Sequence, residues 1–421
     1  MPTALVCQLF YFWRLLPPMY RTIGILREGK NPPDKRVALT PAQCLELMHR
    51  YPGTDVTVQR SPVRAITDAE YEAAGVRLVE DMSDRDLLIG VKEVPVDMLL
   101  EGRSYQFFSH TIKQQPHNRK LMQALLAKRI RMIDHELLTD TKGERVLAFG
   151  KWAGVVGAYN AFRAWQATLG GPMLKPAHLC HDRAEMEQHL HAFPMPKDLR
   201  IVMTGGGRVG RGAMEVLDKA GVARVSPNAF LNAVFDGPVY TVLGSADLYR
   251  RLDGKPFDKA AFHHDPSGHE ADLFPYTRKA NLFMACHFWD PRGPKILPVE
   301  MLRAPGIGLR VIADMSCDVG GPIDSTLRAS TIADALYGYL PSGNAECAVG
   351  TPGSITVMAV DNLPCELPRD ASAAFGRDLV DDVIPHLVHA DINGMIDRAT
   401  ITLDGALTER FAYLSGYAAS T

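Results

Sequence analysis

Hydrophobic and polar positions along the chain alternate between short apolar runs and longer amphipathic stretches, which predicts strands that alternate with helices. In the first third, helices are predicted at 41–50 and 118–128, with Thr40 as an N-cap and Pro41 as the first helical residue. Alternation of this kind is typical of a largely parallel sheet covered on both faces. The strands predicted there are 22–26, 55–59, 86–91, 105–109, 131–134 and 145–149.

The second part of the chain repeats this alternation around a strand–turn–helix signal at 200–216. A long helix is predicted at 152–169 and another at 371–389, and the polar stretch 254–272 is interpreted as an excursion loop. The end, 398–417, predicts a short strand, a turn at Gly405 and a closing element. The fold class is therefore α/β, with two Rossmann-like blocks and a small-molecule site expected in a cleft between them. The strands predicted in this part are 224–226, 281–285, 309–314 and 355–360.

Length and composition narrow the class of protein. A chain of 421 residues is long enough for two domains, and 46% hydrophobic with 22% charged residues is typical of a soluble globular protein. Lys and Arg number 46 against 48 Asp and Glu, so a nucleic-acid partner is not expected. Without an apolar stretch long enough to span a bilayer, no membrane partner is expected either, and a cytoplasmic location is predicted.

The cysteines and the first residues add two further expectations. The seven cysteines are scattered without a C-x-x-C pair, which argues against a disulfide framework or a Cys-rich zinc site. Residues 1–18 lack the features of a signal or transit peptide. They are interpreted as an extension or a misassigned start, with the folded protein beginning at Met19.

The strongest motif is the glycine-rich turn 204–210, in which Gly205, Gly207 and Gly210 form G-x-G-x-x-G between an apolar strand and a helical run. The first glycine permits the tight turn, the second lets the backbone approach a pyrophosphate, and the third allows close packing of helix on strand. The helix N-terminus then offers N–H groups to the phosphates. The motif predicts a bound NAD or NADP.

Cofactor preference is expected to depend on the end of the next strand, about 20 residues on, where NAD-specific sites carry a carboxylate. Residues 224–228 contain no carboxylate. Asn228 can hydrogen-bond a ribose, whereas Ser226, Arg224 or Arg208 can accept a 2′-phosphate. The pattern favours NADP mildly and leaves NAD open.

Charged groups follow the apolar strands of the first block. Lys92, His110 and Glu136 each come just after a predicted strand, and parallel strands deliver their carboxyl ends to one edge of a sheet, so we expect these groups to converge. Such groups suit proton transfer, although Glu93 opposes any lowering of the pKa of Lys92. Arg36 and Arg145 are candidate carboxylate clamps. For each of these charges a solvated surface position is the alternative.

The histidines of the excursion loop do not predict a metal site. His263, His264 and His269 have no helical H-x-x-x-H spacing and no framing carboxylates, so a solvated loop is expected and no metal is predicted.

The chain resembles the family of lysine-forming saccharopine dehydrogenases and lysine–2-oxoglutarate reductases, with alanine dehydrogenase as a more distant relative. The segments 107–113 and 145–160 look closest to the reductase half of the bifunctional lysine-degrading enzyme. The stretches that carry the resemblance are KRVALTP (35–41), GVKEVP (90–95), FFSHTIK (107–113), RVLAFGKWAGVVGAYN (145–160), TGGGRVG (204–210), ADMSCDVGGPI (313–323) and VDNLPCELPRDAS (360–372).

The resemblance implies an oxidoreductase that interconverts saccharopine with L-lysine and 2-oxoglutarate, using NAD or NADP. Lys92 would act as the acid–base group at the amine and His110 at the carbinolamine oxygen, with Glu93 and Glu136 tuning them. Arg36 would hold a substrate carboxylate, and Lys113, Gln115, Asp314 and Ser316 would lie near the substrate. The residues implied at the dinucleotide are Arg145, Gly205, Gly207, Arg208, Gly210, Ser226, Asn228, Ala313, Val360, Asp361, Asn362 and Leu363.

The same resemblance implies that a dinucleotide-binding domain, 156–362, is inserted into a catalytic domain formed by 19–155 and 363–421. The family's NAD-using members carry an Asp after the second Rossmann strand, and its absence here puts an NAD preference in doubt. Two alternatives stay open: another amino-acid or opine-type dehydrogenase, or a non-catalytic NADPH sensor. A monomer or a small homo-oligomer is expected, with no partners beyond these small molecules.

Overall fold

The computed structural model describes residues 20–419, which divide into two compact units. One unit comprises the described residues up to Ala148 together with those from Pro368 onward, and the other is Phe149–Leu367. These boundaries lie a few residues from the predicted 156 and 362, because the helix Gly150–Leu169 stays whole within the second unit. Met19 and the extension before it lie outside the described residues.

The N-terminal part of the first unit alternates strands with helices, as the pattern predicts. Thr40 caps the first helix in a capping box with Gln43, and Pro41 takes the first turn, which confirms the predicted helix start. The helices are α1 (Pro41–Arg50), α2 (Asp68–Ala73) and α3 (Arg119–Ala127). The strands are β1 (Thr22–Ile25), β2 (Asp55–Gln59), β3 (Arg77–Val79), β4 (Leu87–Ile89), β5 (Ser104–Phe107) and β6 (Arg131–Asp134).

The second unit begins with a long helix and continues with alternating strands and helices. Its helices are α4 (Gly150–Leu169), α5 (Arg183–His191), α6 (Arg208–Lys219), α7 (Pro227–Asn232), α8 (Ser245–Leu248), α9 (Lys259–His264), α10 (Phe274–Thr277) and α11 (Val299–Leu302). Its strands are β7 (Arg200–Thr204), β8 (Ala223–Arg224), β9 (Val239–Leu243), β10 (Tyr249–Arg251), β11 (His269–Ala271), β12 (Leu282–Ala285), β13 (Val311–Asp314), β14 (Leu336–Leu340), β15 (Ala345–Cys347) and β16 (Ile355–Met358).

Within the described residues the main sheet of the second unit has eight strands in the order β15-β14-β16-β13-β12-β7-β9-β8. Strands β8, β9, β7, β12, β13 and β16 run parallel, and β14 and β15 add an antiparallel edge. The central strands are buried on both faces, around a core that includes Val202, Phe283, Ile312 and Val357. Both-face burial explains why these strands read as continuous apolar runs.

The chain then returns to complete the first unit. Its elements there are α12 (Pro368–Asp378), a π-helical turn (Leu379–Val383), α13 (Ile384–Val388), α14 (Met395–Ala399), β17 (Thr400–Leu403), β18 (Ala406–Leu407) and α15 (Ser415–Ala419). The first unit's sheet has the order β18-β17-β6-β5-β4-β1-β2-β3, parallel from β6 to β3, with β17 antiparallel on β6. Helix α12 packs beside α1, where Gln43 Nε2 donates to Ala373 O at 2.7 Å.

The α/β fold class is confirmed, and three local predictions were wrong. Residues 146–149 form no strand, since Arg145 makes only an isolated bridge to Thr139 before α4 begins. The helix predicted at 371–389 is interrupted by the π turn, just ahead of Pro385, which has no N–H to donate. The segment 254–272 is not a plain loop, because it contains α9 and β11.

No helix among residues 20–419 combines the length and the apolar character needed to cross a bilayer.

Candidate active site

The first unit brings its predicted polar groups to one edge of the sheet. Strands β1, β4, β5 and β6 are consecutive neighbours and run parallel, so the residues that follow them share that edge. Lys92 follows β4, His110 follows β5, and Glu136 follows β6. The convergence predicted from sequence therefore rests on an observed strand order.

His110 forms a close pair with Glu93. Its Nδ1 donates to Glu93 Oε1 at 2.5 Å. Burial alone would raise the pKa of Glu93, but the hydrogen bond and charge of His110 lower this pKa to about 2. Since Nδ1 is engaged, Nε2 is the ring nitrogen left to exchange a proton. The loop that presents the ring is unusual, because His110 has a φ of 52° in the left-handed region.

The pKa of Lys92 is lowered, first by burial and then by the positive charge of Arg36, with a further contribution from Lys30. Glu93 opposes this shift, as expected from sequence, and Asp34 does too, but neither prevails. The Lys92 ammonium forms no hydrogen bond or ion pair with any residue from 20 to 419. An amine with a lowered pKa gives up its proton more readily than an ordinary lysine, which suits it to proton transfer.

Glu28 positions the Lys92 segment and was missed in the sequence analysis. Its carboxyl oxygens accept from Val91 N–H at 2.7 Å and from Lys92 N–H at 2.8 Å. Burial and the charge of Asp34 raise the pKa of Glu28 to about 7. The rule applied to β4, β5 and β6 could have found this residue, because Glu28 lies just beyond β1 on the same sheet edge.

Arg36 is already engaged by a carboxylate of its own chain. Its Nε and Nη2 donate to Asp34 at 3.0 and 2.6 Å, and both side chains are 1% exposed. The substrate carboxylate predicted for Arg36 would have to share this guanidinium with Asp34, which stands two residues before it. That substrate role stays a prediction.

Two buried groups hold the neighbouring strand ends. Asp134 accepts from Glu136 N–H at 2.7 Å and from the backbone N–H and hydroxyl of Ser109. His135 Nε2 donates to Gly90 O at 2.9 Å, and burial lowers the pKa of this imidazole to about 3, so it is neutral. The ends of β4, β5 and β6, which Lys92, His110 and Glu136 follow, are thereby tied together.

Glu136 contacts Lys113 and Arg145. Its Oε1 lies 3.3 Å from Lys113 Nζ and 3.5 Å from Arg145 Nη1. The Arg145 guanidinium also lies 5.4 Å from the centre of the Phe108 ring. Gln115 is exposed, and its backbone carbonyl accepts from Tyr417 at 2.7 Å. The predicted roles of these side chains toward substrate or dinucleotide stay predictions.

In the second unit, the glycine-rich turn has the geometry that its motif predicts. Gly205 has a φ of 85°, and a Cβ there would lie 2.7 Å from Cys286 O. A Cβ on Gly210 would lie 2.0 Å from Gly205 O, so helix α6 packs tightly on the turn. Nothing lies within 4 Å of a Cβ built on Gly207, which leaves the backbone N–H groups at the start of α6 open. This open cradle fits a pyrophosphate.

A cavity of about 610 Å³ opens at this turn and is called the turn cavity below. This volume lies within the range of about 300–1,000 Å³ that is usual for small-molecule and cofactor sites. Its walls are Gly205, Gly206, Gly207, Leu243, Gly244, Ser245, Ala246, Leu248, Tyr249, Phe257, Lys259, Phe262, His263, His287, Phe288, Trp289, Asp290, Gly293 and Ile296. The stretch 254–272, expected as a solvated loop, thus contributes Lys259 and His263 to the cavity, and His269 is buried on β11.

The sheet order corrects the expected neighbour of the glycine-rich strand. The strand next in sequence, β8, pairs with β9 and not with β7, and β9 is the strand hydrogen-bonded to β7. Ser226 and Asn228 therefore follow an outer strand. Ser226 caps α7 by accepting from Ala229 N–H at 3.2 Å, and Asn228 bonds to Asn232 at 2.8 Å. The strand that follows the glycine-rich helix in the chain is therefore not the neighbour of β7 in the sheet.

The other residues implied at the dinucleotide or substrate lie at two strand ends of the second unit. Asp314 is buried at the end of β13 and accepts from Ser316 Oγ at 2.6 Å and Thr326 Oγ1 at 2.7 Å. Its carboxylate therefore closes the turn that holds Ser316. Ala313, Val360 and Leu363 are buried, Asp361 is exposed, and Asn362 has a φ of 63°.

One group of possible metal ligands occurs among the described residues, and it was not predicted. Donor atoms of Cys180, Glu185 and His189 lie within 4.8 Å of one another. Glu185 is held by Lys175 and accepts from His181 N–H at 2.7 Å. These internal contacts account for the cluster.

Comparison with known proteins supports the resemblance on several levels. Residues 24–156 match the family described as alanine dehydrogenase/PNT, N-terminal domain. The chain is 31% identical over 441 residues to alpha-aminoadipic semialdehyde synthase of Arabidopsis thaliana, covering 93% of the chain and 41% of that protein. It is 28% identical over 385 residues to saccharopine dehydrogenase [NAD(+), L-lysine-forming] of Emericella nidulans, covering 85% of the chain and 90% of that protein.

The mitochondrial alpha-aminoadipic semialdehyde synthase of Rattus norvegicus is 29% identical over 447 residues, covering 93% of the chain and 47% of that protein. The chain thus spans less than half the length of these synthases.

Among solved structures, an L-alanine dehydrogenase matches with a TM-score of 0.62 and 16% identity, covering 94% of the chain and 98% of that structure. A transhydrogenase from Sinorhizobium meliloti matches with a TM-score of 0.57 and 17% identity, covering 92% and 98%. At this identity the likeness concerns the fold. The resemblance stated from sequence is confirmed: the chain has homologues named alpha-aminoadipic semialdehyde synthase and lysine-forming saccharopine dehydrogenase, and its residues 24–156 match the alanine dehydrogenase/PNT N-terminal domain.

Proposed function

We propose that the chain is an NAD(P)-dependent oxidoreductase that interconverts saccharopine with L-lysine and 2-oxoglutarate. The observation that carries this proposal is the group formed by Lys92, Glu93 and His110, in which an amine with a lowered pKa follows the same sheet edge as a carboxylate-held imidazole. The open cradle at Gly207 supports the cofactor class. The names of the relatives support the substrate class.

The reaction joins L-lysine, 2-oxoglutarate, NAD(P)H and a proton to give saccharopine, NAD(P)⁺ and water. In its unprotonated form, Lys92 accepts a proton from the ε-ammonium group of lysine, which frees the amine to attack the ketone carbon. His110 Nε2 then gives a proton to the carbinolamine oxygen, which leaves as water. Glu93 stabilises the imidazolium while it carries that proton. When bound, the nicotinamide cofactor supplies the hydride that reduces the imine.

A second candidate is an amino-acid dehydrogenase with a different amine or keto acid. It is favoured by the match of residues 24–156, which contain Lys92 and His110, to a domain named after alanine dehydrogenase. Proton transfer at an amine and at a carbinolamine oxygen is common to both reactions. The two candidates therefore differ in the substrate, and a panel of amines and keto acids separates them.

The test is NADPH or NADH oxidation with lysine plus 2-oxoglutarate, and with ornithine, ammonia and other keto acids in their place. Lys92→Met and His110→Gln should each lower turnover by at least roughly 10²-fold. Lys120→Met and His117→Gln, at exposed positions of the same unit, are the matched controls and should retain activity. Full activity in Lys92→Met and His110→Gln would contradict the assigned mechanism, and absence of turnover with every pair of substrates would favour the NADPH sensor.

A further inference from the structure

We propose that the turn cavity binds the adenosine 2′-phosphate of NADP(H). Lys259 supplies the positive charge, and His263 a ring N–H donor, that select it over NAD(H). This inference rests on the proposed dinucleotide function. It concerns residues that lie outside the glycine-rich motif and more than 30 residues beyond the strand that the motif would point to.

The adenosine ribose is expected at the end of the strand beside the glycine-rich strand. In dinucleotide folds the ribose is held at the carboxyl end of the strand beside the glycine-rich strand. Here that strand is β9, and Gly205 N–H donates to Leu243 O at 3.1 Å, so the end of β9 abuts the turn. The residues that follow, Gly244 and Ser245, line the turn cavity. The ribose hydroxyls are thereby directed to this wall of the cavity.

The carboxylates near the end of β9 and in the cavity, which could accept hydrogen bonds from the two ribose hydroxyls, are already engaged. Asp247 follows β9 by four residues, but its carboxylate accepts from Gly244 N–H at 2.9 Å and caps its own helix. Among the described residues that line the cavity, Asp290 is the acid, and Arg292 holds it with a contact of 2.6 Å. Neither carboxylate is left to select an unphosphorylated ribose.

The cavity lining also carries positive charge. Helix α9 directs Lys259 and His263 to the cavity, and both are exposed. Lys259 forms no ion pair or hydrogen bond with any residue in 20–419. The nearest acid in sequence, Asp258, accepts from Ala260 and Ala261 N–H at 2.8 and 3.0 Å and caps the helix. A phosphate dianion would therefore meet the Lys259 ammonium, a cation that no carboxylate already neutralises.

Aromatic side chains in the cavity lining form a wall suited to an adenine ring. Phe257 and Phe262 line the cavity with ring centres 5.5 Å apart. Trp289, which follows β12 in the chain, lines it too. Phe288 also lines the cavity and is 92% exposed, so its ring face is open to a ligand. A stacked base would cover such a ring.

The experiment compares binding of 2′,5′-ADP and 5′-AMP to the full chain by isothermal titration calorimetry, without turnover. The wild-type protein should bind 2′,5′-ADP at least about tenfold more tightly than 5′-AMP. The double variant Lys259→Gln, His263→Gln should lose this preference to within about threefold, while its affinity for 5′-AMP stays unchanged. The variants Lys255→Gln and His264→Gln, in the same segment but not lining the cavity, should keep it.

Equal binding of the two nucleotides, or an unchanged preference in the double variant, would overturn the inference and leave the proposed dinucleotide function intact. If neither nucleotide binds, the inference and the proposed dinucleotide function are both overturned. Unchanged 5′-AMP affinity in the double variant shows that it is folded, so loss of the 2′,5′-ADP preference is not a folding effect.

Discussion

Glu28 provides a quantitative test of the first unit's charge arrangement. Its carboxyl is buried and its pKa is raised from 4.5 to about 7, so the folded protein keeps it protonated over a range in which the unfolded chain has already lost the proton. The stability contributed by this protonation is fully present below pH 4.5 and is lost as the pH rises through 7. Replacing Glu28 by Gln removes the titration and keeps the shape.

The expected magnitude follows from the two pKa values. The protonation linkage costs the folded state about 0.8 kcal/mol at pH 5 and about 3.3 kcal/mol at pH 8, relative to a group that does not titrate. The stability difference between Glu28→Gln and wild type should therefore change by about 2.5 kcal/mol in favour of the variant between these pH values. The amide also replaces one acceptor facing the N–H groups of Val91 and Lys92, which adds a penalty that does not vary with pH.

The assay has to report on the first unit. The tryptophans among the described residues, Trp152, Trp165 and Trp289, all lie in the second unit, so fluorescence would follow the wrong part of the chain. Hydrogen-exchange mass spectrometry of first-unit peptides in increasing urea, at pH 5, 6, 7 and 8, gives the required opening free energies. The exposed Glu101→Gln is the control and should show a flat difference. A flat difference for Glu28→Gln as well would refute the reasoning.

Two further outcomes test the turn and the amine. Gly207→Ala should keep the melting temperature within about 2 °C but weaken nucleotide binding at least about tenfold, because its methyl group enters the open cradle. Gly210→Ala should lower the melting temperature by at least about 5 °C, because its methyl group would lie 2.0 Å from Gly205 O. Equal effects of the two substitutions in calorimetry and binding titration would contradict this. Competitive acetylation of Lys92 across pH 6–11, read by mass spectrometry, should give a midpoint below 10.5, and a midpoint at or above that value would show that burial and Arg36 do not act as described.

The fold could be predicted where burial alone decides the pattern. Strands such as β2 and β6 match the predicted bounds, because both faces are covered and the apolar run has clear ends. The run 145–149 is also mostly apolar but forms no strand, and within it Arg145 Nε donates to Leu147 O at 3.0 Å. Strand pairing was harder, because β9 and β8 compete for the place beside β7 and only packing decides between them.

The site was predictable as a set of positions and not as a set of partners. Lys92 and His110 could be placed by counting strand ends, because parallel strands share an edge. Asp34 stands two residues before Arg36, yet nothing in that spacing says that the side chains fold back on each other at 2.6 Å. Contacts of this kind depend on loop conformation, which periodicity does not encode.

The pKa of Lys92 depends on how the charged residues around it are paired with one another. Three acids lie in its neighbourhood, and a count of charges would predict a raised pKa. Each acid, however, is compensated: Asp34 by the Arg36 ion pair, Glu93 by His110, and Glu28 by its own proton up to about pH 7. Burial is therefore the largest influence on the amine, and with the positive charges of Arg36 and Lys30 it outweighs the opposing charges of Glu93 and Asp34. The basicity of Lys92 is thus set by how completely its neighbours are paired, and releasing any one of these acids should raise it.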